Sequence, residues 1–327
     1  MKGNSKKFRW GIIGTGGIAN AFVKDLDYLD GHRASSVLSR SIVTANSFTS
    51  DIKGCNGYDD INSFLDSDYI DAVYIATPNT FHAPQTIMAL ESGIPVLCEK
   101  PFAMNHEEVK SMVESSERNN ATLLEGMWTR YLPHIEKVKQ ILEEDTIGKI
   151  ESIFAFHGQN LRHSDNPRLW TKELGGGALL DLGIYVVSFA HLILGKPKEI
   201  IATSLFTNEG IDSKTSMIFK YDSNVIANLS CSMFDTQPNR AIISGERGLI
   251  EIEPTFYAPT KISIVMNNGE TTSITNDYKG HGLREQAKEL EWCVKNNLIE
   301  SPKMKHSESI AVMKSIDTIR SLIGLSF

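Results

Sequence analysis

The sequence is poor in cysteine, with four in 327 residues: Cys55, Cys98, Cys231 and Cys293. They are widely scattered and include no CxxC pair, which argues against a disulfide framework and against a Cys/His zinc site. Scattered thiols of this kind fit a reducing compartment, so a cytoplasmic protein is expected. Positive charge is also scarce: 33 Lys and Arg face 40 Asp and Glu, leaving a formal net charge of −7. That balance speaks against nucleic acid or an anionic membrane surface as the main partner, though it leaves room for a local basic pocket that takes a phosphate. Long apolar runs are missing too. No stretch of about 18 consecutive apolar residues is found, and the short basic Met1–Arg9 segment is not followed by an apolar region ending in a cleavage site, so neither a membrane span nor a secretion signal is expected. The histidines, among them His32, His106, His134, His191, His281 and His306, are dispersed without metal-ligand spacing, and no metal is expected.

What is present is ordinary globular material, 41% hydrophobic and 22% charged, in a length that suits two domains. Up to about residue 125, short apolar runs alternate with helical stretches of roughly 10–15 residues, the pattern of a parallel sheet wound with helices on both faces. Phe8–Ile13, Ala34–Leu38, Ala72–Ala76, Val96–Glu99 and Ala121–Glu125 read as strands. Beyond Gly126 the pattern changes. Extended segments from Glu151 to Ile274 are separated by turn residues at 221–224, 245–248 and 267–269, which predicts an antiparallel sheet. A helix over 178–194 interrupts it, and two more, near 283–296 and 307–323, close the chain. The expected fold is therefore α/β: an N-terminal Rossmann domain with a doubly wound parallel sheet (1–125), then an α+β domain (126–327) with a large, mainly antiparallel open sheet. The closing helices are free to pack back on the first domain.

Gly14, Gly16 and Ala19 match G-x-G-x-x-G/A immediately after the first strand and at the start of a helix. The first glycine permits a tight turn, the second lets backbone approach a pyrophosphate, and the small third residue lets helix and strand pack closely. The helix start adds N–H donors and a partial positive charge for phosphates. Gly14, Thr15, Gly16, Gly17 and Ile18 are accordingly expected to hold a dinucleotide. About 20 residues on, NAD sites place an Asp or Glu on the ribose 2′-hydroxyl. Here the strand ends Leu38-Ser39-Arg40-Ser41, with no carboxylate. Ser39 and Arg40 would suit a 2′-phosphate, since a guanidinium binds phosphate in bidentate fashion. NADP is expected ahead of NAD, the alternative being an Arg40 that stacks on adenine or sits in solvent.

Three stretches, Gly-Thr-Gly-Gly-Ile-Ala at 14–19, Ala-Thr-Pro-Asn-Thr-Phe-His at 76–82 and Cys-Glu-Lys-Pro-Phe-Ala-Met-Asn at 98–105, resemble the glucose–fructose oxidoreductase/inositol dehydrogenase (Gfo/Idh/MocA) family. Glu-Gly-Met-Trp-Thr-Arg-Tyr-Leu-Pro at 125–133 and Gly-Gly-Gly-Ala-Leu-Leu-Asp-Leu-Gly-Ile-Tyr at 175–185 are similar to its dimeric dihydrodiol dehydrogenase and NADP-dependent D-xylose dehydrogenase branch. The resemblance implies that Thr77, Pro78, Asn79 and His82 line the cofactor near the nicotinamide ribose. It also implies that Lys100, following Glu99, lies beside the nicotinamide and the substrate hydroxyl. A lysine there would stabilise developing negative charge and depress the pKa of a nearby acid.

Many members carry a histidine at this position; this chain has Tyr185 instead, as the dihydrodiol dehydrogenase branch has a tyrosine. Tyr185 becomes the candidate general acid/base, and an unperturbed tyrosine, with a pKa of about 10, needs a cation nearby, which Lys100 would provide. Asp181, four residues earlier, would share a helix face with Tyr185 and orient the substrate or Lys100. Trp128 and Arg130 would wall the nicotinamide or contact the diphosphate or substrate, and Arg168 and Trp170 would close the pocket. His157, His163 and Tyr257 are further pocket candidates without an assigned role. Each has a plainer alternative: a Pro-Asn turn for 77–82, a solvated lysine at 100, a packed amphipathic tyrosine at 185. The combined reading is an NAD(P)-dependent oxidoreductase that moves a hydride between the cofactor and a sugar, polyol, diol or related carbonyl compound. It would work as a homodimer or higher homo-oligomer through the C-terminal sheet. The alternative is a non-catalytic NADP-binding regulator of the same fold.

Overall fold

The run Phe8–Ile13 (β1) carries Trp10, Ile12 and Ile13, all fully or almost fully buried. It is followed in a computed structural model, which describes residues 7–327, by Gly17–Leu26 (α1), His32–Leu38 (β2), Ile42–Thr49 (α2), Asn56–Tyr58 (β3), Ile61–Leu65 (α3), Ala72–Ile75 (β4), His82–Glu91 (α4), Val96–Glu99 (β5), His106–Asn119 (α5) and Leu123–Gly126 (β6). The six strands are all parallel and lie in the order β3-β2-β1-β4-β5-β6. Every residue of β4 and β5 is buried, as a strand covered on both faces requires. The order reverses direction at β1 and β4, the place where doubly wound sheets take ligands at the carboxyl ends of their strands.

The chain continues through Pro133–Glu143 (α6), Ile150–Gly158 (β7), Pro167–Trp170 (α7), Ile184–Leu194 (α8), then β8 (Glu199–Phe206), β9 (Asp212–Lys220), β10 (Ile226–Ser232), β11 (Ala241–Gly245), β12 (Gly248–Ile252), β13 (Ile262–Met266) and β14 (Thr271–Ile274). These strands form one eight-stranded sheet in the order β14-β13-β12-β11-β7-β10-β9-β8. It is antiparallel except at its centre, where β7 runs parallel to β10. Hairpin spacing reveals neighbours in sequence; this central pair joins strands separated by α8 and a hairpin, so no local turn signal announces it. Helix α8 packs on β7 and β10, and on β8, β9 and β10 exposed apolar side chains remain: Ile201, Leu205, Phe206, Ile218 and Ile226.

Two helices end the chain, Arg284–Lys295 (α9) and His306–Ile323 (α10). Two compact units result. The first comprises the chain up to Ala103, Glu107–Trp128 and Lys279–Ser309; the second Met104–His106, Thr129–Tyr278 and Ile310–Phe327. The return of α9 to the first unit has a local cause. Asp25, 1% exposed on α1, accepts the backbone N–H groups of His281 (2.8 Å), Gly282 (3.0 Å) and Arg284 (2.9 Å), which supplies the missing partners of the α9 start.

Two departures from the sequence-based expectation concern the segment after the glycine turn. The helix over 178–194 is not uniform: Leu179–Gly183 is a π turn, and only from Ile184 does it continue as α8. Hydrophobic periodicity fails to separate the two because nearly every residue there is buried. The stretch Lys172–Leu194 is also long and apolar enough, by composition, to cross a membrane, although polar residues such as Lys172, Glu173 and Asp181 break its apolar run. Of its most apolar window 83% is buried inside the protein, the situation of a core helix.

Burial also sets an acid limit on the second unit. His134 is pushed down to about 4 and His191 to about 3 by desolvation, while hydrogen bonding to the Phe256 carbonyl works weakly the other way for His134. Both are therefore neutral in the fold and must take up a proton on unfolding. The stability they contribute is present above the ordinary histidine value of 6.5 and is lost as pH falls toward 4 and then 3. Thermal melts are expected to lose stability steeply below about pH 6, and His191→Gln to flatten that loss; an unchanged pH slope in the variant would remove His191 from the account.

Candidate functional site

The glycine loop leaves β1 at the switch point and enters α1. Gly14 has φ +107°, and a Cβ there would stand 2.6 Å from the Ala76 carbonyl oxygen, so the protein itself demands glycine. Gly16 and Gly17 differ. Both are exposed, and among the described residues nothing beyond their own chain neighbours and local helix backbone lies within 4 Å of where their Cβ atoms would be. Gly16 has φ −78°, which any residue adopts. It precedes a helix with no side-chain cap and no acidic residue in its first turn. Such a helix start leaves N–H donors and a partial positive charge for an anion, and an open surface without Cβ atoms lets the anion come close. The residues present thus fit a pyrophosphate.

At the end of β2 the Ser39 hydroxyl lies 3.4 Å from that of Thr15, tying the strand end to the loop. Arg40 is exposed, and Ser41 caps α2 by accepting the Thr44 N–H at 3.2 Å. After β4, Thr77 donates its hydroxyl to Gln85 (2.7 Å), Pro78 leads into a 3-10 turn at Asn79–Phe81, and Asn79 is 3% exposed. His82 is 1% exposed and holds two turns together: one ring nitrogen lies 2.9 Å from the Thr77 carbonyl oxygen, the other 2.8 Å from that of Pro101. The loop after β4 is thereby fixed to the loop that carries Lys100.

Lys100 itself is half-buried and follows the fully enclosed Glu99. Burial raises the Glu99 pKa, opposed by the Tyr74 hydrogen bond and the charge of Lys100. The Tyr74 hydroxyl donates to Glu99 Oε1 at 2.5 Å, and Glu99 Oε2 accepts the Lys100 backbone N–H at 3.3 Å. Tyr74 in turn stacks on Phe22 of α1, ring centroids 3.9 Å apart. One connected set therefore runs from the helix that begins with the phosphate loop to the backbone of Lys100. Sequence reasoning missed Tyr74, because a tyrosine inside an apolar strand gives no sign of a buried partner. Trp128, which ends the Glu107–Trp128 segment of this unit, is 9% exposed and opens a 3-10 turn.

In the second unit, Tyr185 stands in the first turn of α8, 7% exposed. Its ring meets His157 edge-on at 5.1 Å and tilts against Tyr257 at 4.9 Å; His157 and Tyr257 stack at 4.1 Å. His157 Nδ1 lies 3.1 Å from the Leu182 carbonyl, an acceptor only, so Nδ1 carries the proton and Nε2 accepts from the Gln159 amide at 3.1 Å. The same amide reaches the Tyr257 hydroxyl at 3.2 Å. His157 and Tyr257, unassigned in the sequence, are thus brought to Tyr185; His163 is exposed. Asp181 sits on the π turn, where four residues no longer make one α-helical step, and it pairs with Arg168 (Nη2–Oδ1 3.0 Å), a partner the sequence did not assign to it. Trp170 donates its indole N–H to the Ser164 carbonyl at 3.0 Å. Arg130, expected at the cofactor, is 2% exposed, and two of its donors go to Ser188, Nε to the hydroxyl at 3.0 Å and Nη2 to the carbonyl at 2.9 Å, which anchors α8. Among the described residues, no group of three or more His, Cys, Asp or Glu is arranged to hold a metal.

A parallel sheet in this strand order, a glycine loop built for a pyrophosphate and a lysine at the next strand end define a dinucleotide-binding oxidoreductase. Residues 8–127 match the family model described as an oxidoreductase family with NAD-binding Rossmann fold, and 135–251 match the GFO/IDH/MocA C-terminal domain. The chain belongs to the Gfo/Idh/MocA family of oxidoreductases. It is 31% identical over 330 residues to a trans-1,2-dihydrobenzene-1,2-diol dehydrogenase of Xenopus tropicalis, covering 98% of this chain and 99% of the relative. It is 30% identical to scyllo-inositol 2-dehydrogenase (NADP(+)) IolU of Bacillus subtilis, covering 98% of each. Among solved structures, KijD10, a 3-ketoreductase from Actinomadura kijaniata in complex with NADP and TDP-benzene, superposes with a TM-score of 0.87 over 97% of this chain and 98% of the other, at 22% identity.

Proposed function

We propose that this oxidoreductase is an NADP-dependent dehydrogenase or reductase of secondary CH–OH groups in a sugar, polyol or diol. The observation that carries the reading is the glycine loop with its open Cβ positions, continued by Lys100 at the end of β5. When bound, the nicotinamide supplies the hydride chemistry. Gly14 to Ile18 receive the pyrophosphate, and Thr77, Pro78, Asn79 and His82 shape the ribose side. Glu99 and Trp128 complete that wall, and Arg130, by holding Ser188, supports α8. Tyr185 gives or takes the hydroxyl proton, Lys100 stabilises the charge that develops on the oxygen, and Asp181 with Arg168 orients the substrate. The 31% identity to a diol dehydrogenase and 30% to an NADP-dependent inositol dehydrogenase support both substrate class and cofactor.

Selection of NADP rests on Ser39 and the exposed Arg40 at the end of β2, where no carboxylate stands to repel a 2′-phosphate. We place the protein in the cytoplasm and assign the second unit to substrate binding and dimerisation. The exposed Ile201, Leu205, Phe206, Ile218 and Ile226 on β8, β9 and β10 are the apolar surface that a second copy would cover.

The test is turnover with NADP and NAD on trans-1,2-dihydrobenzene-1,2-diol, scyllo-inositol, D-xylose and D-glucose. NADP-linked oxidation of at least one is expected. Nucleotide binding without any turnover would instead favour a non-catalytic sensor. Arg40→Ala is expected to erase most of the NADP preference, about tenfold or more for a charged contact worth about 1.4 kcal/mol. A preference that survives the substitution would remove Arg40 from the 2′-phosphate site.

A further inference from the structure

Asp212, the first residue of β9, is 0% exposed. Its Oδ2 accepts the Leu179 N–H at 2.7 Å and the Thr215 hydroxyl at 3.1 Å. Its Oδ1 has no hydrogen-bond partner among the described residues and occupies the space where a Cβ on Gly177 would lie. Gly177 has φ +122°, so both its conformation and this carboxyl exclude a side chain. Leu179 begins the π turn that holds Asp181 and runs on into α8 with Tyr185. A carboxyl from the sheet therefore caps the helix start on which both residues depend. The contrast with Asp25 is instructive: that carboxylate, doing the same for α9, receives three backbone N–H groups, whereas Asp212 receives one and a hydroxyl. A buried carboxyl with an unmatched oxygen calls for a reason.

We propose that Asp212 is a positioning residue for the Asp181–Tyr185 helix, which its carboxylate anchors firmly and its protonated form anchors weakly. The proposal rests on the assignment of Tyr185 and Asp181 to the reaction. An ionised carboxylate makes the stronger bond to an N–H and complements the partial positive charge of a helix start; a carboxylic acid does neither as well. Burial pushes Asp212 up to about 7, against the Leu179 and Thr215 hydrogen bonds and the charge of Arg320. The change of state falls near neutrality. The ionisable groups that bear on it are Arg320 of α10 and the buried Cys231 thiol of β10, itself pushed up by burial and then by Asp212.

The sign for stability is opposite to that for activity. The folded state holds the Asp212 proton more tightly than the ordinary carboxyl value of 3.8 would allow. The associated stability is complete below that value and disappears as pH rises to about 7. Asp212→Asn stays neutral throughout, so its melting temperature should gain on the wild type steadily from acid to neutral pH.

The experiment measures melting temperature and NADP-linked kcat and KM between about pH 5.5 and 8.5 for the wild type, Asp212→Asn, Thr215→Val and Tyr185→Phe, with the substrate that the panel selects. Between about pH 8 and 6 the wild-type kcat is expected to fall about threefold more than that of Asp212→Asn, at unchanged KM for NADP. Thr215→Val, lacking one donor, should move the same step to higher pH, and it carries the test if Asp212→Asn does not fold. Superimposable kcat–pH profiles in the wild type and these two variants, with Tyr185→Phe inactive, would overturn the proposal while leaving the Tyr185 assignment intact. Wild-type turnover in Tyr185→Phe would instead overturn that assignment and the positioning role of Asp212 with it.

Discussion

Lys100→Ala and Tyr185→Phe are each expected to lower kcat by about 10²- to 10⁴-fold, the range for losing a positioned proton donor or a charge-stabilising cation. That is about 3–5 kcal/mol of transition-state stabilisation. NADPH binding, followed by fluorescence titration, should change little if, as proposed, the backbone of the glycine loop receives the pyrophosphate. The argument for Lys100 is its support. The peptide N–H of Lys100 is held by Glu99, which Tyr74 holds in turn, and the preceding loop is pinned through His82. A solvated surface lysine needs no such backing. For Tyr185 the argument is enclosure: His157 and Tyr257 fix its ring, and Gln159 fixes theirs. Turnover that survives in both variants would return these side chains to the role of packing, and a loss of nucleotide binding equal to the loss of kcat would mean that they shape the cofactor site instead of the reaction.

The parts of the molecule legible in the sequence are those that chain-local physics dictates. β4 is a continuous apolar run because both its faces are covered, and Val96–Glu99, His106–Asn119 and Thr271–Ile274 are bounded where the pattern bounds them. The glycine loop is legible because its requirements, a positive φ and an uncapped helix start, fall within six residues. What stays hidden depends on partners distant in sequence. Asp212 caps Leu179 from 33 positions away, and Tyr74 reaches Glu99 across 25. Neither relation leaves a period or a motif. Arg130 shows the opposite error. Its place beside a recognisable motif points to the cofactor, while the fold uses at least two of its donors to hold Ser188 across 58 residues. The π turn at Leu179–Gly183 is invisible for a third reason: a segment buried on all sides is apolar on all sides, and its sequence does not record how many residues fill each turn.

Two alanine substitutions two residues apart are expected to separate the protein's own need for glycine from the ligand's. Gly14→Ala should destabilise the first unit by about 3 kcal/mol or more, combining the roughly 1–2 kcal/mol of a left-handed conformation with a collision of Cβ against backbone. The atom it meets is the Ala76 carbonyl oxygen at 2.6 Å, part of a backbone that has no freedom to withdraw because Gly14 N–H is itself bonded to Leu38 at 2.9 Å and Ala76 N–H to Ile13 at 2.8 Å. A drop in melting temperature of about 6–12 °C follows for a unit of this size. Gly16→Ala meets nothing within 4 Å and has an ordinary φ of −78°. Its stability should be unchanged or slightly higher, since alanine narrows the unfolded ensemble by about 0.4–1 kcal/mol. Its NADPH affinity, however, should fall at least about tenfold, because the added methyl stands where a pyrophosphate oxygen approaches the helix start. Calorimetry and fluorescence titration on the same two proteins decide the matter. If Gly16→Ala binds NADPH as tightly as the wild type, the open face of the loop is not the phosphate cradle, and the nucleotide must be sought elsewhere along the carboxyl edge of the sheet.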